Sequence, residues 1–122
     1  MIALTEDKRM LGYGVMTPYS NIFCFATTRR GGFSKGDYAS FNCTPYTGDD
    51  AESVRRNQEL LCNSMPQHPK ELVIPFQTHG TKVEVIDEKY LNATSDERTA
   101  MLQGVDALIT KEPDCCICIS TA

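Results

Sequence analysis

The sequence predicts an α+β fold in which a helix packs on a mixed or antiparallel sheet. Short runs rich in β-branched and aromatic residues recur along the 122-residue chain, whereas only residues 49–65 show a clear helical period. The chain is 41% hydrophobic, which is enough for a core without cross-links. No repeat or linker divides it, so we expect one domain, or part of one, over residues 1–122.

The charge balance argues against a nucleic-acid partner. The chain has 12 Lys and Arg against 16 Asp and Glu, a net charge of −4, and therefore lacks a uniformly basic field. No stretch approaches the ~20 apolar residues of a membrane span, and the charged first ten residues do not resemble a signal peptide. We therefore expect a cytoplasmic protein with no membrane partner, whose six cysteines are free thiols.

The first predicted strand, residues 21–28, leads into two arginines and two glycines. The guanidinium of Arg29 next to the flexible backbone of Gly31 and Gly32 is suited to a phosphate or a carboxylate. A solvated turn is the alternative interpretation. The loop that follows, through residue 48, is too rich in Gly, Ser, Asn and Pro to be helical.

The clearest helix begins at Asp49, which we predict to be its N-cap. Glu52, three residues later, completes a capping-box pattern. Val54 and Leu61 define an apolar face, and Asn57 lies on that same face. A buried amide needs a hydrogen-bonding partner, so Asn57 is expected to bind either the backbone of a loop or a ligand.

Two β-like runs, residues 71–77 and 81–87, meet at a corner that contains His79 and Gly80. Gly80 allows a tight turn, from which an imidazole can project off a rigid edge as a functional group. An ordinary hairpin-turn histidine is the alternative. The polar residues 88–98 that follow are interpreted as a loop or a short helix.

The chain finishes with two predicted strands, residues 106–110 and 115–120, joined by a hairpin turn at residues 111–114. Cys116 and Cys118 are two positions apart, so a strand would place both on one face. Zinc motifs usually separate paired cysteines by two or more residues, and a strand's Cys-x-Cys needs further ligands. Packing in a buried strand is therefore favoured over metal binding.

The order of five segments resembles the YfiH-like laccase-domain family, also called the multicopper polyphenol oxidoreductase or purine nucleoside phosphorylase family. The resemblance extends from Phe23 to Ala122, and five motifs in the right order are more specific than any one of them. The segments are ATTRRGGFSKGDYASFN, GDDAESVRRNQELL, FQTHGTKV, GVDALIT and CICISTA.

The resemblance implies a mixed β-sheet sandwich with helices packed outside it. It also implies a zinc site made by the histidine of a Gln-x-His-Gly motif, the cysteine of a Thr-Ala-Asp-Cys motif and a further histidine. His79 matches the first ligand, whereas Thr121 and Ala122 match only the opening of the second motif. We therefore expect residues 1–122 to be the N-terminal portion of a single domain, truncated before the cysteine and the second histidine, with the missing C-terminal half as a partner.

The family implies zinc-dependent phosphorolysis of adenosine, inosine, guanosine and methylthioadenosine, together with adenosine deamination. On this view His79 is both a metal ligand and a catalytic residue, Arg29 binds phosphate, and by analogy Asn42 and Gln77 line the pocket for the purine nucleoside. We expect the fragment alone to be inactive. The alternatives are a copper-dependent polyphenol oxidase, a Cys-His hydrolase, or a non-catalytic domain that binds a partner through its sheet edge.

Overall fold

The computed structural model describes residues 1–121, and the chain divides into two compact units, Met1–Ser64 and a second that begins at Met65. Helices and strands alternate irregularly, and the strands form both antiparallel and parallel pairs. The predicted α+β class is thus confirmed. In chain order the elements are β1 (Ile2–Ala3), β2 (Met10–Gly12), β3 (Phe25–Thr27), α1 (Ala51–Asn63), β4 (Glu71–Val73), β5 (Lys82–Ile86), α2 (Glu88–Leu91), α3 (Ser95–Met101), β6 (Val105–Thr110) and β7 (Cys115–Ile117).

The first unit contains an antiparallel sheet in the order β1, β2, β3. The strand predicted over residues 21–28 is present only as β3, residues 25–27. Its pairing partner β2 is itself three residues long, so the ladder ends after three residue pairs. Met10 of β2 is fully buried.

Helix α1 starts one residue later than predicted, because Asp50 and not Asp49 is its N-cap. The Asp50 carboxylate accepts a hydrogen bond from the backbone amide of Ser53 at 3.0 Å. The Asp49 carboxylate is already engaged by the preceding loop, where Ser34 Oγ donates to it at 2.5 Å and Asn42 Nδ2 at 3.2 Å. These bonds hold the pKa of Asp49 below its ordinary value, with the Ser34 hydroxyl as the main cause.

Asn57, predicted to need a partner on the apolar face of α1, is completely buried and fully hydrogen-bonded. Its partners belong to the loop and not to a ligand. Asn57 therefore fixes the loop that follows the two arginines, at the position where an apolar residue would leave backbone groups unpaired. Its Oδ1 accepts from the Phe33 amide at 2.7 Å, and its Nδ2 donates to Ser34 Oγ at 2.9 Å, to the Ser40 carbonyl at 3.3 Å and to the Asn42 carbonyl at 2.7 Å.

The second unit is built from two parallel strand pairs, β4 with β7 and β5 with β6. The hairpin predicted at residues 111–114 is therefore wrong, because the strands that flank this turn do not pair with each other. The strands that flank residues 78–80 do not pair with each other either, so the alternative of a hairpin turn at His79 does not hold. Parallel neighbours require a crossover, and α2 with α3 provides it between β5 and β6. The segment interpreted as a loop or a short helix is thus two short helices.

The core of the second unit forms where these crossover helices cover the strands. Val73 and Ile86 are fully buried, and Tyr90 and Leu102 pack against them. Arg98 of α3 is tied to Glu71 of β4 by a 2.8 Å ion pair. Among the helices of residues 1–121, none is long and apolar enough to cross a membrane.

Candidate functional site

The corner that carries His79 is held by a single carboxylate. The backbone amides of Thr78 and His79 donate to Asp106 Oδ1 at 3.2 and 2.8 Å, and the amide of Gly80 donates to Asp106 Oδ2 at 2.8 Å. His79 itself has a φ of 61°, a left-handed backbone conformation that residues other than glycine rarely adopt. Three consecutive amides that converge on one anion stabilise this turn.

The side chain of His79 is exposed. Its backbone amide is bound by Asp106, so the turn and the Cα position are fixed while the imidazole faces outward. A neutral imidazole in this setting can ligate a metal or exchange a proton with a substrate. His68, the second histidine of the chain, is also exposed, and its Nδ1 lies 3.0 Å from the carbonyl oxygen of Pro69.

Gln77 uses both ends of its carboxamide to bind one backbone position. Its Oε1 accepts from the Ser120 amide at 2.7 Å, and its Nε2 donates to the Ser120 carbonyl at 3.2 Å. This reciprocal pair ties the segment after β7 to the residues that lead into the His79 corner. In this structure Gln77 is therefore a positioning group, with its amide already engaged.

Arg29 lies on the surface of the first unit. Its Nε donates to the Ala39 carbonyl at 2.9 Å, while its own carbonyl accepts from the Ser40 amide at 2.7 Å and from the Phe41 amide at 3.1 Å. Within residues 1–121 the guanidinium is thus anchored by the hydrogen bond that its Nε donates. This arrangement leaves the Nη edge suited to an anion.

The two glycines after the arginines serve close packing. Gly31 has a φ of 78°, and a Cβ there would lie 2.2 Å from Asp7 Oδ2. A Cβ on Gly32 would lie 2.1 Å from the Ser40 carbonyl oxygen, and the Gly32 amide donates to Ser40 Oγ at 3.0 Å. The Gly32 amide is therefore not directed at a phosphate, which leaves Arg29 as the phosphate-binding candidate in this turn.

Asn42 stabilises the loop that follows the two glycines through hydrogen bonds of its side chain. Its Nδ2 donates to Thr47 Oγ1 at 3.0 Å and to Asp49 Oδ2 at 3.2 Å, and its Oδ1 accepts from the Thr44 amide at 3.2 Å. The side chain is half-buried and engaged at both polar atoms. Asn42 and Arg29 thus stabilise one loop of the first unit, whereas Gln77 and His79 lie together in the second.

The terminal cysteines are less buried than the predicted buried strand requires. Cys115, Cys116 and Cys118 are each half-buried, because β7 pairs with β4 alone at the edge of a two-stranded sheet. The expected shared face of Cys116 and Cys118 is confirmed, since their Sγ atoms lie 3.8 Å apart. None of the six cysteines forms a disulfide bond within residues 1–121.

The sequence profile of the family described as multi-copper polyphenol oxidoreductase laccase matches residues 23–122. The chain belongs to this family. The laccase-domain resemblance of its ordered motifs is thereby confirmed. The family's description is that of metal-dependent enzymes.

Two curated relatives of this laccase-domain chain have names that refer to purine chemistry. Over its whole length the chain is 63% identical to a purine nucleoside phosphorylase of Bacteroides thetaiotaomicron, of which it covers 45%. Over 80% of its length it is 38% identical to adenosine deaminase RL5 from an unknown prokaryotic organism, of which it covers 37%. The chain thus spans less than half the length of either relative.

Solved structures support the fold. YlmD from Geobacillus stearothermophilus matches 84% of this chain with a TM-score of 0.68 and 27% identity, and 39% of YlmD is covered. The Neisseria meningitidis protein NMB0706 matches the same share with a TM-score of 0.63 and 29% identity, and 38% of it is covered. The laccase-domain fold is therefore shared with proteins of greater length.

The described part of this laccase-domain chain provides one ligand for a metal site. Residues 1–121 contain no group of three or more His, Cys, Asp or Glu side chains that could hold a metal ion. His79 supplies a single imidazole on a fixed turn, the donor type that zinc and copper both accept.

Asp106 and Ser120 were missed by the sequence reasoning. Asp106 lies within a largely apolar strand, Val105–Thr110, and a carboxylate in such a run indicates that a hydrogen-bonding partner lies near it in the fold, without showing which residues provide it. Ser120 acts only through its backbone, so its side-chain identity carries no signal of its role.

Proposed function

We propose that the protein formed by this chain and the remaining portion of its domain is a zinc-dependent purine nucleoside phosphorylase that also deaminates adenosine. Its substrates are adenosine, inosine, guanosine and methylthioadenosine, with phosphate as the second substrate of phosphorolysis, and it acts in the cytoplasm. The observation that carries the proposal is the exposed imidazole of His79 on a turn fixed by Asp106. The purine-related names of the two relatives support it.

We further propose that residues 1–122 are the N-terminal portion of that domain. The coverage of the relatives, 45% and 37%, supports this assignment. His79 then provides one zinc ligand, and the remaining portion provides a cysteine and a second histidine. A catalytic zinc site needs three protein ligands, so the 122-residue chain alone is inactive.

The residues of this chain have distinct tasks in the proposed reaction. His79 holds one coordination position, and Asp106 keeps the turn in place through the three backbone amides. Bound zinc would lower the pKa of a coordinated water toward ~7, which supplies the nucleophile that deamination needs. Arg29 binds the phosphate through its Nη edge, Gln77 positions the segment at Ser120, and Asn42 orders the loop of Arg29.

The test compares the 122-residue chain with the product of the longer reading frame. Adenine release from adenosine is measured with and without phosphate, and inosine formation is measured in parallel. We expect both activities in the longer protein, and we expect His79→Ala to abolish them together with the bound zinc. His68→Ala is the matched control because it replaces the second histidine of the chain, and it should retain both. Equal activity in the 122-residue chain would contradict the need for the remaining portion.

Metal analysis separates zinc from the copper alternative that the family description suggests. We expect about one tightly held zinc per longer chain, bound at the three-ligand site. Several coppers per chain would support polyphenol oxidation instead, and an active protein without metal would support Cys-His hydrolysis. Copper oxidases rely on several histidine ligands, whereas this chain contains two histidines in total.

A further inference from the structure

The thiols of Cys116 and Cys118 are held side by side by the sheet. β7 pairs in parallel with β4, and the Cys118 amide extends the ladder by donating to the Val73 carbonyl at 2.9 Å. Alternate residues of an extended strand point to the same face. The two Sγ atoms therefore lie 3.8 Å apart on a backbone that is hydrogen-bonded to β4.

This separation matches one edge of a tetrahedral thiolate site. Zinc–sulfur bonds of about 2.3 Å at a tetrahedral angle place two sulfurs about 3.8 Å apart. A disulfide would require the same sulfurs to approach to about 2.0 Å. Both side chains are half-buried, so they are reachable from solvent and partly shielded by the sheet.

The two thiols of the pair also share a hydrogen bond. A hydrogen bond with Cys118 lowers the pKa of Cys116, although burial acts in the opposite direction. Cys115, the neighbouring thiol, differs in this respect: burial raises its pKa, with Glu71 and other nearby carboxylates adding to the effect and Lys70 opposing it. The alternation of the strand places Cys115 on the opposite face.

We propose that Cys116 and Cys118 form a bidentate site for a thiophilic divalent cation such as Zn²⁺, separate from the His79 corner. Binding releases the two thiol protons and forms two metal–sulfur bonds, with no change of oxidation state. No group of three or more candidate ligands exists within residues 1–121, so water or an added ligand completes the coordination. The site is therefore open and exchangeable, unlike a closed structural site with four protein ligands.

The proposal is tested by protection of thiols from alkylation in the full 122-residue chain. Zn²⁺ is titrated, iodoacetamide is added, and each cysteine is followed by peptide mass spectrometry. We expect Zn²⁺ to protect Cys116 and Cys118 together, at least tenfold in rate, and to leave Cys24 and Cys115 unaffected. Equal protection of Cys115, or protection of only one member of the pair, would overturn the proposal.

Variants provide a second measurement. Cys116→Ser and Cys118→Ser should each weaken Zn²⁺ binding at least tenfold in competition with a chromophoric chelator. Cys115→Ser, on the same strand but the opposite face, should keep it. His68→Ala should also keep it, since this exposed histidine lies outside the pair. Unchanged binding in both single variants of the pair, or a loss in His68→Ala as large as in those variants, would refute the assignment.

Discussion

Replacing Asp106 by alanine removes the acceptor of three consecutive backbone amides at the His79 corner. These amides belong to exposed residues, so water can replace the carboxylate and each lost bond costs about 0.5–1 kcal/mol net. The expected loss is about 1.5–3 kcal/mol of unfolding free energy. The left-handed conformation at His79 costs roughly 1–2 kcal/mol, so without Asp106 the turn should relax.

Asp106→Asn should have a smaller effect. The carboxamide oxygen can still accept from the amides that bind Oδ1, whereas its NH₂ group would face the Gly80 amide and cannot accept from it. We expect a loss of about 1 kcal/mol. Asp96→Ala is the control, because Asp96 is an exposed aspartate in the first turn of α3 in the same unit.

The assay combines denaturant unfolding, followed by circular dichroism, with amide hydrogen exchange measured by NMR. In Asp106→Ala we expect the amides of Thr78, His79 and Gly80 to exchange at least tenfold faster, while the β5 and β6 amides exchange as in the parent chain. Unfolding free energy and exchange rates unchanged from the parent chain would refute the role assigned to Asp106.

Three further predictions concern the first unit, namely its buried Asn57, its glycines and the half-buried thiol of Cys43. Asn57→Leu should lower the unfolding free energy by about 3 kcal/mol, because it leaves the loop groups that Asn57 binds without a buried partner; denaturant titration checks this. Gly32→Ala should lower the unfolding free energy by about 2–3 kcal/mol, since the new Cβ would lie 2.1 Å from the Ser40 carbonyl oxygen. Gly14→Ala is the control: the space around its new Cβ is open, so the unfolding free energy should change by less than about 0.5 kcal/mol. A loss of equal size in both variants would contradict the packing argument. Burial, with a smaller contribution from Cys62, raises the pKa of Cys43 to about 12, so at pH 8 its thiolate fraction is on the order of 10⁻⁴. Iodoacetamide should therefore modify Cys43 far more slowly in the folded chain than in urea, and the rate in the folded chain should rise with pH. An equal rate in both conditions would show that the thiol is not shielded.

Local sequence patterns were sufficient for several elements. The period of residues 49–65 predicted α1, and the buried amide of Asn57 was correctly expected to need a partner. The run 81–87 predicted β5 within one residue at each end. These features depend on side-chain periodicity and on the cost of an unpaired polar group, both of which are present in the chain itself.

Strand pairing could not be predicted from local sequence patterns. Two adjacent β-like runs with a turn between them predict a hairpin, yet the runs on either side of residues 111–114 do not pair with each other. Each pairs in parallel with a different strand, β6 with β5 and β7 with β4. Burial of Val73 and Ile86 under the helices that follow β5 outweighs the local turn signal. Similarly, the choice between Asp49 and Asp50 as N-cap was decided by Ser34, fifteen positions away from Asp49.

The sequence by itself determined the family, because the order and spacing of its motifs are properties of the chain, and it identified His79 as a candidate metal ligand. Only the tertiary structure decided what holds that histidine. Asp106 is 27 residues from His79 in the chain, and its carboxylate meets the corner because β5 and β6 pair in parallel. A contact between backbone amides and a distant carboxylate leaves no local pattern, since the amides are common to nearly every residue.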